Sequence, residues 1–138
     1  MIEKPDIHKA AGIIIKDRRL LVEKSKGKHF FIAPGGSIES GETAPQALVR
    51  ELKEEFDIDV KQEDLEEFGT FYDRAAGQEH LTFREDVFWV RKWEGEPRPS
   101  SEVEKIAWLT TDIPEGMKVG STFEFQVMPK LKDLGVID

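Results

Sequence analysis

The 138-residue chain contains no cysteine, three histidines and a single tyrosine. Without a thiol there is no disulfide framework, no thiolate nucleophile and no thiolate metal site, so any metal must rest on oxygen or imidazole. His8, His29 and His80 show no metal-ligand spacing and read as ordinary polar residues. No apolar run approaches the roughly 20 residues of a membrane span, and the opening MIEKPDIHK lacks the apolar segment of a signal peptide. A cytoplasmic protein without membrane contact is therefore expected. Positive charge is also in deficit: 20 Lys and Arg face 28 Asp and Glu, a net charge of −8 that disfavours nucleic acid as a partner. The Gly-x4-Gly-Lys-Ser/Thr pattern is absent, which excludes a P-loop kinase or ATPase. There is no internal repeat, low-complexity tract or linker, so residues 1–138 read as a single domain.

What is present is unevenly distributed. Residues 1–36 carry a net charge of +4, whereas residues 37–70 carry −8. Ala10 to Ile15 and Leu20 to Val22 are apolar, β-branched runs separated by the polar Lys16-Asp17-Arg18-Arg19, the pattern of a hairpin. Glu66 to Tyr72, Leu81 to Phe83, Asp86 to Trp93 and Ile106 to Leu109 read as further strands, with Asp86 to Trp93 central because apolar side chains fall on both of its faces. Pro34-Gly35-Gly36 breaks the chain and lets backbone amides approach a ligand. A helix is expected over Thr43 to Phe56, opened by a capping box of Thr43 and Gln46 with Pro45 in its first turn. Ser121 with Glu124 predicts a second capping box, opening a helix with Val127, Leu131 and Leu134 on one face, which Pro129 should kink or split.

On a helical wheel at about 100° per residue, Leu48, Leu52 and Phe56 form the core stripe of the first helix. Gln46, Arg50 and Lys53 occupy the side facing solvent. Glu51, Glu54 and Glu55, at i, i+3 and i+4, crowd the edge of the apolar stripe instead. Like charges one turn apart repel, and more strongly where the medium is less polar. A hard, oxygen-preferring cation such as Mg²⁺, with Mn²⁺ as substitute, resolves that conflict.

Gly36, five residues, Glu42, seven residues and then Arg50-Glu51-Leu52-Lys53-Glu54-Glu55 resemble the Nudix box, with eight of its nine defined positions met. The departure is Asp57, which stands where the family has Gly; Ile58 then fits the final aliphatic position. The likeness continues to Trp93-Glu94-Gly95-Glu96-Pro97 and Trp108 and is greatest for the MutT-like nucleotide pyrophosphohydrolases. It implies an α/β (α+β) fold, an α/β/α sandwich with a mixed β-sheet and a catalytic loop-helix-loop. It also implies Mg²⁺-dependent hydrolysis of a nucleoside diphosphate linked to another moiety. In that reading Glu51, Glu54, Glu55, Gly36 and a loop acid, Glu102 with Glu104 second, hold metal. Glu51 or Glu54 is the general base, Arg50 orients the glutamates, and Gly35 and Glu42 shape the loop. Lys24, Lys26 and Lys28 are candidate phosphate contacts, with an exposed, solubilising loop the alternative, and Phe31, Phe30, Tyr72 or Trp89 is a candidate base contact, with core packing the alternative for each. Other subfamily marks are missing: no Pro lies between Gln46 and Glu96, and Tyr72 falls 14 residues after Ile58. The substrate expected is a (d)NTP or modified nucleoside triphosphate, against a dinucleoside polyphosphate, a nucleotide sugar or a non-catalytic binding module. The isopentenyl diphosphate isomerase branch is disfavoured by the missing cysteine. A homodimer is common in this family.

Overall fold

The computed structural model describes residues 5–75 and 78–138. Seven strands, β1 (Ile7–Ile13), β2 (Ile15–Lys16), β3 (Arg19–Ser25), β4 (Gly35–Ser37), β5 (Leu65–Ala75), β6 (Gln78–Val90) and β7 (Val103–Leu109), form the middle layer. They make two sheets, in the orders β4-β1-β6-β5 and β2-β3-β7. The first is mixed: β1 runs parallel to β6 and antiparallel to β4. Helix α1 (Ala44–Phe56) covers one face of this layer. A C-terminal helical segment, Thr122–Val127 continuing into α2 (Met128–Asp133), covers the other. This is the expected α/β/α sandwich.

Strand alternation decides which side chains reach which helix. Leu21 and Phe88 pack with Leu48, Leu52 and Phe56 under α1. Their chain neighbours Leu20, Val22 and Val87 pack with Phe123, Val127 and Leu131 on the opposite side. The apolar run Ala10 to Ile15 serves both sheets, because β1 ends at Ile13 and β2 begins at Ile15. The hairpin itself joins β2 to β3, and its turn residues Asp17 and Arg18 take φ of 51° and 62°, the left-handed pair that suits a tight hairpin.

Two expectations need correction. Leu81 to Phe83 and Asp86 to Trp93 are one strand, β6, which ends at Val90; Trp93 lies beyond it and packs toward α1. Arg84 and Glu85 do not interrupt the ladder, because its hydrogen bonds are made by backbone whatever the side chains carry. Ser121 does not cap a helix. Its backbone is already helical, at φ −58° and ψ −35°, and its hydroxyl donates to Asp73 at 2.6 Å. The helix is split as Pro129 predicts. Met128 N–H donates to Phe123 O, a wider turn that precedes the missing donor of Pro129. Val127 and Leu131 are buried, whereas Leu134 is 61% exposed and leaves the apolar face. Among the described residues no helix is long and apolar enough to cross a membrane.

Candidate active site

The loop leading into α1 is fixed by close backbone contacts, two of which need glycine. Gly12 N–H donates to Pro34 O at 2.8 Å, and Gly35, at φ 140°, lies so close to β1 that a Cβ would stand 2.0 Å from the Ala10 carbonyl oxygen. A Cβ on Gly36 would stand 2.5 Å from the Glu51 carboxyl carbon. Both glycines therefore bring bare backbone against the acidic edge of α1. The helix starts where predicted: Thr43 Oγ1 accepts from Gln46 N–H, and Gln46 Oε1 accepts from Thr43 N–H. At its other end Asp57 occupies the left-handed conformation, at φ 55° and ψ 38°, and Arg98 and Lys53 both pair with its carboxylate.

Arg50 organises the carboxylates. Its guanidinium donates to both oxygens of Glu42, at 2.7 and 2.9 Å, to Glu51 Oε1 at 2.8 Å and to Ser37 O at 3.2 Å. Glu54 Oε2 lies 3.5 Å from the same group. This fork holds the Glu42 carboxyl well below the usual carboxylate range, with help from the Glu39 N–H. Glu51 is displaced the other way, because burial outweighs its contact with Arg50.

Glu55 turns inward, and its Oε1 accepts from Gly35 N–H at 3.0 Å. There it meets a residue that the motif did not reveal, Glu23 on β3, which is fully buried. Burial first, and the facing carboxyl second, push Glu55 far up; burial also raises Glu23. Glu23 Oε2 has no hydrogen-bond partner among the described residues. The signal was available in the sequence, since period two along Leu21-Val22-Glu23 puts Glu23 on the face of Leu21, under α1.

The side chains do not yet surround a common point: among the described residues no three acids or histidines form a ligand cluster. Arg50 holds Glu51, and Gly35 holds Glu55. The donor set nonetheless suits a hard divalent cation. It is all oxygen, it contains a buried carboxyl oxygen without a partner among the described residues, and burial raises both inner carboxyls, Glu23 and Glu55, so each would ionise more readily beside a cation. Glu102 is exposed on the loop before β7, where its carbonyl accepts from Lys26 N–H. Glu104 pairs with Lys24.

On the opposite side of Gly35 and Gly36 a cleft of about 280 Å³ runs between the middle layer and the C-terminal helix. Lys28 lines it; Lys24 is engaged by Glu104 and by the Lys28 carbonyl, and Lys26 is exposed away from it. Phe31 takes the core-packing role and not that of a base contact: its ring is buried between β3 and the C-terminal helix, and the aromatic residues at the cleft are Phe30, as the sequence allowed, and Phe83. Tyr72 is exposed on β5 and does not line the cleft. Residues that sequence reasoning passed over do line it: Lys9, Arg74 and Glu85. Glu85 is 7% exposed, its Oε1 has no partner among the described residues, and burial raises its carboxyl to about 7.

Comparison with known proteins agrees with this arrangement. Residues 6–129 match the NUDIX domain family. The chain is 38% identical over 104 residues to an 8-oxo-dGTP diphosphatase of Proteus vulgaris, a match covering 70% of this chain and 86% of that one. Over 48 residues it is 48% identical to a dihydroneopterin triphosphate diphosphatase of Escherichia coli (strain K12), covering 35% of this chain and 32% of the relative. A crystal structure of a MutT NUDIX hydrolase from Burkholderia pseudomallei superimposes with a TM-score of 0.70 at 21% identity, covering 95% of this chain and 98% of that one, and so shares the fold. The family match over nearly the whole chain, with Glu51 against Gly36 and Glu55 bonded to Gly35 N–H, shows that this chain belongs to the Nudix hydrolase family.

Proposed function

We propose that the chain is a divalent-metal-dependent pyrophosphohydrolase of nucleoside triphosphates, (d)NTP or modified, acting by water attack on phosphorus. The observation that carries this reading is the acidic edge of α1, where Glu55 faces the buried Glu23 and Glu51 lies against Gly36, beside a glycine pair opening onto a cleft with cationic residues. The relatives named for 8-oxo-dGTP and dihydroneopterin triphosphate support the triphosphate class.

Glu51, Glu54 and Glu55, with the Gly36 backbone and Glu102, would hold Mg²⁺, or Mn²⁺ in its place. The bound cation supplies Lewis acidity and neutralises negative charge on the phosphoryl oxygens. The protein residues do the rest. One of Glu51 and Glu54 takes the proton of the attacking water as its oxygen bonds to phosphorus and the anhydride P–O bond breaks. Arg50 is a positioning residue: its contacts to Glu42 and Ser37 anchor the loop to α1, while those to Glu51 and Glu54 aim the carboxylates. Lys28 and Lys9 receive phosphate oxygens along the cleft.

A screen of phosphate and pyrophosphate release over nucleotides with Mg²⁺ tests the reading, comparing wild type with Glu54→Gln and Glu55→Gln. Turnover of at least one triphosphate, lost in both variants, is expected. No turnover of any nucleotide, or full activity in both variants, sinks it.

A further inference from the structure

Glu23 is a buried acid that the Nudix box does not contain. On β3 it follows Leu21 at period two, and Leu21 and its neighbour across the ladder, Ile106, both pack in the apolar layer under α1. The backbone of Glu23 is held on both sides: its N–H donates to Ile32 O and its carbonyl accepts from Ile32 N–H, each at 2.8 Å, while Ile106 on β7 is its register partner. The residue is 0% exposed, so a side chain pinned in this ladder cannot turn outward to water. Oε1 has the Ser25 hydroxyl at 3.4 Å, and Oε2 has no partner among the described residues. The Glu55 carboxyl faces it, Glu51 acts on both through its charge, and Lys9 reaches Glu23 through charge alone. Arg50, which organises the outer carboxylates, is engaged by Glu42 and Glu51. An apolar residue at this place would continue the layer that Leu21 begins, with neither desolvation nor repulsion to offset. A buried acid set against another acid, with one oxygen free, calls for a partner that the neighbouring side chains do not supply.

We propose that Glu23 is a further ligand of the divalent cation that Glu55 holds, so that strand β3 builds the metal site together with α1. This rests on the metal-dependent reading above and adds to it a residue from outside the contiguous motif. Three features agree. A hard cation takes anionic oxygen, and the free Oε2 of Glu23 is such a donor on the inner side of Glu55. Two facing carboxyls disfavour each other as anions, and a dication beside them favours both as anions. Glu23 is also fixed by a ladder on each side, whereas Glu102 is exposed on a loop, and a ligand carried by a strand is placed more precisely than one carried by a loop. The competing role is that of a neutral acid that only hydrogen-bonds to Glu55. The two roles differ in what an amide can replace, because a glutamine keeps a donor for Glu55 and loses the anionic oxygen.

Binding of Mn²⁺ to the full chain without nucleotide, measured by isothermal titration and by the EPR signal of the free ion, tests this apart from turnover. Glu23→Gln should weaken Mn²⁺ binding by at least about tenfold, and Glu23→Ala by a similar factor. Glu85→Gln removes one buried acid from the opposite face and should bind Mn²⁺ as the wild type does, which separates ligation from net charge. A melting curve for each variant reports that it is folded. Wild-type affinity in folded Glu23→Gln overturns the assignment and leaves Glu23 as a hydrogen-bond partner of Glu55. If Glu23→Gln does not melt cooperatively, the side-chain carboxyl carbon resonance of Glu23 in the wild type, followed by NMR through a titration with Mg²⁺, carries the test: a shift that saturates with the metal supports ligation, and an unmoved resonance overturns it. The outcome is separable from that of the hydrolysis screen. Binding lost in Glu55→Gln and kept in Glu23→Gln overturns the role of Glu23 and leaves the proposed function standing; binding lost in Glu23→Gln, with no nucleotide turned over by the wild type, supports the ligand and sinks the hydrolase.

Discussion

The two faces of the middle layer each bury carboxylates, and they treat them differently. Under α1, Glu55 faces the buried Glu23 while Glu51 lies nearby against Gly36, and their charge is offset by Arg50 on Glu51 and by Gly35 N–H on Glu55, with burial raising Glu23 and Glu55. On the other face Glu85 is the buried acid, near Asp73 and Asp86 and with Lys9 in register beside it, but with no hydrogen bond to Oε1 among the described residues. A cluster of acids whose repulsion is only partly offset is a place for a cation. A single acid with free acceptors is a place for donors. The difference separates a proposed cation site on one side of the Gly35-Gly36 backbone from the cleft on the other, which Lys9, Lys28 and Glu85 line.

The sharpest way to break the comparison is activity. Glu51→Gln, Glu54→Gln or Glu55→Gln should each lower kcat by more than about a hundredfold, whereas Glu85→Gln, in the cleft wall, should act on KM more than on kcat. Steady-state kinetics on a triphosphate that is turned over settles it; a Glu85 variant that loses all turnover would place Glu85 with the reaction chemistry.

Stability against pH distinguishes the faces next. The Glu85 carboxyl is raised in the folded chain from its ordinary 4.5 to about 7, by burial and by Asp73 and Asp86, with Lys9 opposing. Below the unfolded value both states are protonated and the group contributes nothing. Between 4.5 and about 7 the unfolded chain ionises first, so stability falls as pH rises, and above about 7 the full penalty, about 3 kcal/mol, is present. Glu85→Gln should therefore raise Tm at pH 8 by about 10 °C and leave it unchanged at pH 4. The same melting curves in millimolar Mg²⁺ or Mn²⁺ should rise by several degrees for the wild type, as binding to the folded state adds about 2.7 kcal/mol at a hundredfold excess over Kd. Glu85→Gln should keep that increment and Glu55→Gln lose it.

The same contrast explains what the sequence could disclose. The Nudix box is contiguous, so helical periodicity alone gathers Glu51, Glu54 and Glu55 at one edge of α1, and the Thr43 capping box and Pro45 fix where that edge begins. Glu23 and Glu85 lie outside it, and each becomes a site residue only through strand pairing. Glu23 was legible from its place in Leu20 to Ser25, where a charge falls on the inward face. Glu85 was hidden because Arg84-Glu85 reads as a break between two strands, whereas β6 runs through it. Phe31 and Phe30 differ by one position along an extended segment, and that single step decides which ring enters the core and which reaches the cleft. Ser121 and Glu124 matched a capping box in letters only, since the hydroxyl was claimed by Asp73 across 48 residues.

The smallest effect is expected at Asp57, where the chain departs from the family pattern. The backbone there is left-handed, a conformation that glycine enters freely and a β-branched residue enters with strain. The carboxylate offsets part of that strain, because it pairs with Arg98 and Lys53, and these contacts hold it below the ordinary aspartate range. Asp57→Gly removes strain and ion pairs together, so Tm should move by no more than about 2 °C in either direction. Asp57→Val keeps the strain and loses the pairs, and should lower Tm by several degrees without changing kcat, because Asp57 holds the end of α1 and touches none of the carboxylates that Arg50 gathers. If Asp57→Gly instead raised Tm well above the wild type, the ion pairs would be contributing nothing, and Asp57 would stand at the end of the box as a tolerated defect.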